Sequence, residues 1–184
     1  VIATGLGESR LPASYAKYYQ WESMDISSEE QVNSVFEKHR PTTVIHAAAI
    51  TQADVCEENK GKAYTVNVLG TKNLIQAAER FGCYFLYLST DFVFDGENGP
   101  YKEEDQPNPV NYYGRTKWEG EQLLKQSNLS WAIVRTVLVY GVAEGLSRSN
   151  IILWVRESLM AGKTIQVVTD QIRTPTLVED LADA

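Results

Sequence analysis

The sequence predicts an α/β fold in which a doubly wound parallel sheet is covered by helices. Short apolar runs alternate with longer stretches of helical periodicity along the whole chain, and Gly or Pro residues separate them. No internal repeat or low-complexity segment interrupts this alternation. Strands that alternate with helices assemble as parallel sheets through right-handed crossovers, which is why we predict this architecture.

Composition narrows the class of protein. The chain has 184 residues, of which 43% are apolar and 22% charged, as is ordinary for a globular domain. A net charge of −7 disfavours a nucleic-acid or membrane-surface partner. No apolar run approaches a membrane span, and no signal peptide is visible. Cys56 and Cys83 lack metal or redox spacing, which predicts reduced thiols in the cytoplasm, and His39 and His46 have no ligand partner at useful spacing, so no metal site is predicted.

The first predicted strand, Val1–Thr4, leads into a glycine-containing loop. Gly5-x-Gly7 does not fit a dinucleotide fingerprint, because a Leu-Pro pair follows instead of a third glycine that opens a helix. We place this loop at the end of the second strand of a nucleotide-binding unit, where the adenosine ribose is recognised. Arg10 is then positioned to meet a 2′-phosphate, and a solvated loop arginine is the alternative.

The next elements are a strand within Tyr18–Met24 and a helix that ends before Pro41. Ser27-x-x-Glu30 matches a capping box at the start of that helix. Thr43–His46 is a short buried strand, in which we interpret the histidine as a packing residue. The small side chains of Ala47, Ala48 and Ala49 follow it, and they allow either close approach of a ligand or tight helix–strand packing.

A long helix is predicted from Lys62 to Arg80, with Gly82 closing it. Its core stripe comprises Tyr64, Val68, Thr71, Ile75 and Ala78. Cys83–Leu88 is the central strand. The loop Asp91–Asn108 is long enough to be a functional lid. The remaining predicted elements are the helix Tyr113–Lys125, the strands Trp131–Thr136 and Val139-Tyr140, the helix Asn150–Met160, the strand Thr164–Val168 and a helix that starts at Val178.

The chemistry centres on Tyr113 and Lys117, which a helix places on one face. A free tyrosine has a pKa of about 10, and an ammonium one turn away favours the phenolate and lowers that pKa. Thr90 ends the central strand and offers its hydroxyl to the same substrate oxygen. The three side chains predict acid–base chemistry on a carbonyl or alcohol. An exposed helical face also explains Tyr-x-x-x-Lys when it stands alone.

Around this site lies a series of further motifs: Val44–Ala49, Asn67–Thr71, Ser89–Gly96, Pro100–Asp105, Tyr113–Lys117, Arg135-Thr136, Val139–Gly141 and Arg173–Thr176. In kind and in order they resemble the motifs of the extended short-chain dehydrogenase/reductases, and within that family the chain is most similar to the dTDP-4-dehydrorhamnose reductase branch. They cover nearly the whole chain.

This resemblance implies NADPH as the cofactor, with NADH as the alternative, and a nucleotide-sugar substrate. By this resemblance, Tyr113 is expected to donate a proton and Thr90 to polarise the carbonyl. Lys117 is expected to hold the nicotinamide ribose, and Asn67 to support that lysine. The implied cofactor residues are Arg10, Asp25, Ile26, Ala47, Ala48, Ala49, Asn67, Ser89, Tyr113 and Lys117. The implied substrate residues are Thr51, Asp91, Val93, Phe94 and Arg173. For three of these residues a purely structural role is the alternative: Asp25 as a cap, Asn67 as a buried amide with its hydrogen bonds satisfied, and Arg173 as part of a structural salt bridge.

The resemblance also implies a division of the chain. Residues 1–142 correspond to a Rossmann-type NAD(P)-binding domain, and residues 143–184 begin a small substrate-binding lobe and return to the sheet. The first strand and its glycine-rich turn are expected before Val1, so we expect a fragment of a longer protein. Without that turn, these residues alone are expected to bind dinucleotide poorly.

Three functions follow from the resemblance. The first is NADPH-dependent reduction of a 4-keto-6-deoxy nucleotide sugar, as in dTDP-rhamnose biosynthesis. An epimerase or dehydratase is the second, although Phe92 stands where dehydratases carry an acid, which counts against dehydration. A non-catalytic role is the third, because the regulatory subunit of methionine adenosyltransferase resembles this branch. The acids at 103–105 are interpreted as a solvated edge, although some relatives use acids near here for a cation that bridges a dimer, and a homodimer stays open.

Overall fold

The computed structural model describes residues 1–142 and 151–184. They form two compact units, one made of Val1–Ser9 and Tyr18–Arg135, the other of Arg10–Lys17 and Thr136–Ala184. Helices alternate with parallel strands, so the predicted α/β class is confirmed. The functional division at residue 142 stays a prediction. Among the described residues, no helix combines the length and apolar character needed to cross a bilayer.

Five short strands build the sheets of the first unit. They are β1 (Ile2–Gly5), β2 (Gln20–Ser23), β3 (Thr43–His46), β4 (Tyr84–Thr90) and β5 (Ser130–Thr136), whose last residue belongs to the second unit. β1 pairs with β2 in parallel, and β4 lies between β3 and β5, with β3 and β4 parallel. The β1–β2 pair and the three-stranded sheet are not hydrogen-bonded to each other.

Five helices connect these strands: α1 (Glu29–His39), α2 (Ala53–Glu58), α3 (Lys60–Tyr64), α4 (Gly70–Phe81) and α5 (Tyr112–Lys125). The predicted capping box of α1 is wrong by one residue. Ser28 is the N-cap and accepts a hydrogen bond from the Gln31 amide at 3.3 Å. Ser27 instead donates its amide and hydroxyl to the Asp25 carboxylate, which draws it into the preceding turn.

The long helix predicted from Lys62 to Arg80 is interrupted by a π-helical segment, Thr65–Leu69. The segment joins α3 to α4 and widens the turn by one residue, so the residues before it rotate relative to those after it. The predicted core position of Tyr64 is therefore wrong: Tyr64 is 39% exposed, and the neighbouring Ala63 is buried in its place. Gly82 closes α4 with a left-handed backbone, as predicted.

One apolar core lies within the first unit. It gathers side chains from the β2–α1 connection, α1, α4, β4 and α5, including Ile26, Phe36, Ile75, Phe85 and Leu124. Ile45 on β3 points away from this core and is 68% exposed. The core therefore fixes the face of β4 that α4 and α5 cover, and with it the carboxyl end of β4.

The second unit contains β6 (Val139–Tyr140), β7 (Thr176–Leu177), α6 (Ile151–Met160) and α7 (Val178–Asp183). β6 and β7 pair in parallel. The strand predicted at Thr164–Val168 is wrong, because these residues are irregular and both Val167 and Val168 are exposed. An apolar run becomes a strand only where a partner strand pairs with it, and the sequence pattern does not contain that information.

Candidate active site

Thr90 is held at the point where β4 ends. A 3₁₀ turn, Asp91–Val93, follows the strand, and Thr90 is its N-cap. The Thr90 hydroxyl accepts a hydrogen bond from the Phe92 amide at 3.2 Å and donates to the Asp91 carboxylate at 3.1 Å. These local bonds fix the side chain of Thr90 before any ligand is present.

The start of α5 is pinned against that turn. Asn111 is the N-cap and accepts from the Gly114 amide at 2.8 Å, while the Glu57 carboxylate accepts from the Tyr112 amide at 2.7 Å. A Cβ on Gly114 would stand 2.0 Å from the Phe92 carbonyl oxygen. Only glycine permits this approach, which is why the residue after the tyrosine has no side chain.

Thr90 and Tyr113 lie close together, and the Thr90 side chain favours the phenolate form of Tyr113. Tyr113 and Lys117 share the buried face of α5 and are 8% and 3% exposed. The Lys117 ammonium lies 4.0 Å from the centroid of the Tyr87 ring, over its face. Such a cation–π contact offsets part of the hydration that the ammonium loses.

The direction of the Tyr113 pKa shift contradicts one prediction. We expected Lys117 to lower the pKa of Tyr113, but burial raises that pKa, and the nearby Thr90 side chain opposes the rise. Burial also lowers the pKa of Lys117 to about 7, against the favourable effect of the Glu121 carboxylate. Both groups are withdrawn from water, and desolvation disfavours the charged form of each. As described, the site therefore favours a protonated phenol.

Asn67, in the π-helical segment, ties the end of β3 to α5. Its side-chain oxygen accepts from the Ile50 amide at 2.8 Å, and its nitrogen donates to the Ile50 carbonyl at 3.0 Å and to the Thr116 hydroxyl at 3.0 Å. Thr116 directly precedes Lys117. The amide therefore holds both the backbone beside the site and the helix that carries the lysine.

A buried polar network lies beneath the lysine. His46 packs against Tyr87, and its Nε2 lies 2.9 Å from the Thr71 hydroxyl. Burial lowers the pKa of His46 to about 3, so the ring is neutral at physiological pH. The prediction that His46 is a packing residue is confirmed.

The residues predicted to hold a cofactor differ in their exposure. Ala47 and Ala48 are exposed directly after β3, and Ala49 is half-buried. Asp25 turns its carboxylate toward the Ser27 amide and hydroxyl at 2.8 and 2.7 Å, and Ile26 is buried in the core. The small side chains leave the backbone after β3 accessible, whereas Asp25 and Ile26 make contacts within the protein.

The residues predicted to contact a substrate also differ. Thr51 is exposed beside the segment that Asn67 holds, and Asp91 and Phe94 are half-buried. Val93 is fully buried and serves packing. Arg10 and Arg173 belong to the second unit, where both are exposed. Their ligand roles stay predictions. In residues 1–142 and 151–184, no three His, Cys, Asp or Glu side chains cluster closely enough to hold a metal ion.

Sequence reasoning missed a buried charge cluster around Glu121. This residue lies one turn beyond Lys117 and is 0% exposed. Arg135 donates to both of its carboxylate oxygens, and Ser89, which was predicted to bind cofactor, donates to Oε1 at 2.7 Å. The spacing Tyr113, Lys117, Glu121 places the three residues on one helical face, and that spacing was a signal from which Glu121 could have been predicted.

Comparison with known proteins decides the family. Residues 8–184 match the family model described as RmlD substrate binding domain. The chain belongs to this family. The RmlD family lies within the extended short-chain dehydrogenase/reductases, so the resemblance stated from the motifs is confirmed.

Two solved members superpose closely. A dTDP-4-dehydrorhamnose reductase from Bacillus anthracis, in complex with NADP, gives a TM-score of 0.82 at 31% identity over 98% of this chain and 66% of that one. A second dTDP-4-dehydrorhamnose reductase, from Clostridium acetobutylicum, gives a TM-score of 0.82 at 35% identity over 99% of this chain and 67% of that one.

A relative with a different name is found by sequence. Methionine adenosyltransferase 2 subunit beta from Bos taurus is 35% identical over 163 residues, which is 89% of this chain and 49% of that protein. The chain spans about half the length of this curated relative.

Proposed function

We propose that the protein is an NADPH-dependent reductase of a 4-keto-6-deoxy nucleotide sugar, similar to dTDP-4-dehydrorhamnose reductase. The buried pair of Thr90 and Tyr113, with Lys117 one turn further along the buried face of α5, carries this proposal. Two hydroxyl groups that converge beside a buried amine suit a carbonyl oxygen that becomes an alcohol. Solved relatives at 31% and 35% identity are reductases of this class.

Side chains of this protein polarise and protonate the carbonyl oxygen of the substrate. Thr90 turns its hydroxyl proton from the Asp91 carboxylate to the C4 carbonyl, which polarises that carbonyl. Tyr113 gives its phenolic proton to the oxygen as the carbon is reduced. The raised pKa of Tyr113 keeps that proton in place until it is needed. The Lys117 ammonium stabilises the phenolate that remains, and it would hold the nicotinamide ribose of a bound cofactor.

The residues present fit a dinucleotide. NADPH, when bound, supplies the hydride that the carbonyl carbon receives. The exposed methyl side chains of Ala47 and Ala48 allow a ligand to reach the backbone at the carboxyl end of β3. Arg173 is proposed for the diphosphate of the substrate, because a guanidinium forks onto phosphate oxygens.

A regulatory role is the second candidate, and one observation favours it. The curated relative at 35% identity is named as a subunit of methionine adenosyltransferase, not as a reductase. A regulatory subunit needs a partner surface but no proton donor. The same geometry of Tyr113 and Lys117 then serves binding alone.

The test is oxidation of NADPH by the full-length protein supplied with dTDP-4-dehydrorhamnose. Turnover that requires the sugar supports the reductase. Absence of turnover, with NADPH binding intact in calorimetry, refutes reduction of this sugar and leaves the regulatory role or a different sugar. Co-purification of a methionine adenosyltransferase would then support the regulatory role. Tight NADPH binding by residues 1–184 alone would refute the expectation that this segment binds dinucleotide poorly.

A further inference from the structure

Arg135 contacts the loop that follows the candidate active site. Its guanidinium carbon lies 5.0 Å from the centroid of the Phe94 ring, and Nη1 donates to the Glu103 carbonyl at 3.3 Å. Both contacts fall within the loop between Asp91 and Asn108. A planar cation that stacks on an aromatic ring and also donates to a carbonyl restrains a loop at two points.

The other edge of the same guanidinium contacts the catalytic helix. Nε donates to Oε1 of Glu121 at 2.9 Å, and Nη2 donates to Oε2 at 2.6 Å. Glu121 also accepts the Ser89 hydroxyl at 2.7 Å, and Ser89 precedes Thr90. One arginine therefore connects the loop, the end of β4 and the helix α5.

The loop itself is internally tied, so a restraint on Phe94 reaches the rest of it. Phe94 stacks on Tyr101 with ring centroids 4.2 Å apart, and the Tyr101 hydroxyl donates to Asp95. The Asp95 carboxylate also accepts from the Glu97 amide at 3.0 Å and from the Asn108 side chain at 3.0 Å. Both ends of the loop thus meet at one carboxylate.

We propose that Arg135 is a positioning residue that locks the loop between Asp91 and Asn108 onto the helix carrying Tyr113 and Lys117. A lysine in its place would keep a charge beside Glu121, but it lacks the planar fork that reaches both carboxylate oxygens and the loop at once. The consequence for substrate rests on the proposed function, because Phe94 is a predicted substrate contact. The consequence for the loop does not.

Hydrogen exchange on the full-length protein tests the lock. We expect the loop amides of Arg135→Lys to exchange about tenfold faster than those of the wild type, since the lost contacts are worth on the order of one power of ten in an opening equilibrium. Lys125→Met is the matched control: its ammonium lies 3.9 Å from Glu121, and none of the loop contacts described above involves it, so loop exchange should not change. Unchanged loop exchange in Arg135→Lys would overturn the proposal.

A second variant keeps the proposal testable if Arg135→Lys fails to fold. Phe94→Leu removes the ring and leaves the bonds between Arg135 and Glu121 intact, and it should accelerate loop exchange to a similar extent. Exchange at the wild-type rate in Phe94→Leu would overturn the proposal in that case.

Kinetic constants distinguish a positioning role from a purely structural one, because a structural defect would not change KM for the substrate alone. In Arg135→Lys we expect KM for the nucleotide sugar to rise severalfold while the Kd for NADPH is unchanged, because the loop and not the cofactor segment after β3 is released. Equal rises in both constants would overturn the proposal. A wild-type protein without turnover would refute the reductase, and the exchange experiment would still decide the role of Arg135.

Discussion

Replacing Lys117 by Met is expected to stabilise the folded protein at neutral pH and to remove a pH-dependent part of its stability. The Lys117 side chain is 3% exposed, and burial lowers its pKa from 10.5 to about 7. Between these two pH values the unfolded chain holds a proton that the folded protein has released. The free energy of unfolding therefore rises with pH across this window.

The size of the effect follows from the same two values. At about 1.4 kcal/mol per pH unit, the interval between 10.5 and about 7 corresponds to roughly 5 kcal/mol. Well below pH 7, wild type is less stable than a neutral side chain of similar length by roughly that amount, and by roughly 2 kcal/mol at pH 9. The advantage of Lys117→Met should thus shrink by about 3 kcal/mol between pH 6 and pH 9.

Urea unfolding at pH 6, 7, 8 and 9 measures this difference. Lys125→Met is the control, because this lysine lies on the same helix with its side chain 40% exposed, and its ammonium stays hydrated. The free energy of unfolding of this variant should show the same pH dependence as that of the wild type, with a constant offset for the lost ion pair to Glu121. If Lys117→Met and the wild type show parallel pH dependence, the argument that burial lowers the pKa of the Lys117 amine is refuted.

Three further predictions follow from the geometry. Gly114→Ala should lower the free energy of unfolding by about 1–3 kcal/mol, because its Cβ would stand 2.0 Å from the Phe92 carbonyl oxygen, and an unchanged denaturation midpoint would contradict this. Asn67→Ala should lower it by about 2–4 kcal/mol, since both backbone groups of Ile50 lose their partner, and a loss below 1 kcal/mol, measured in urea, would argue against the clamp. Hydrogen bonds hold the pKa of Asp95 at about 2, below the usual 3.8, so their contribution is complete above pH 3.8 and is lost as pH falls through about 2; a carboxyl ¹³C titration midpoint near 4 would contradict this.

Much of the fold could be predicted because local patterns specify it. The bounds of β3, the closing glycine of α4 and the shared face of Tyr113 and Lys117 all follow from short-range periodicity or from one residue type. The π-helical segment Thr65–Leu69 could not be predicted this way. A single extra residue in a turn leaves the apolar pattern on either side intact, so the pattern gives no sign of the π-helical segment. Its effect is visible only in the structure, where Ala63 is buried in place of Tyr64.

The parts of the site that depend on tertiary contacts were beyond sequence reasoning. Arg135 and Glu121 lie on different elements, and nothing in their separation along the chain indicates a bidentate pair. The direction of the Tyr113 pKa was mispredicted for a related reason. The spacing to Lys117 gives the attraction between the two groups, whereas the opposing desolvation depends on how deeply the folded protein buries both.

The most direct test of the central claim compares two adjacent tyrosines in the full-length protein. Tyr113→Phe removes the proposed proton donor, whereas Tyr112→Phe removes the hydroxyl of its half-buried neighbour, whose ring lies 5.3 Å from the Lys60 ammonium. With NADPH and dTDP-4-dehydrorhamnose, we expect Tyr113→Phe to lose about 10²–10⁴-fold in kcat and Tyr112→Phe to keep wild-type turnover. Equal turnover in the two variants would contradict the assignment of Tyr113 as the proton donor.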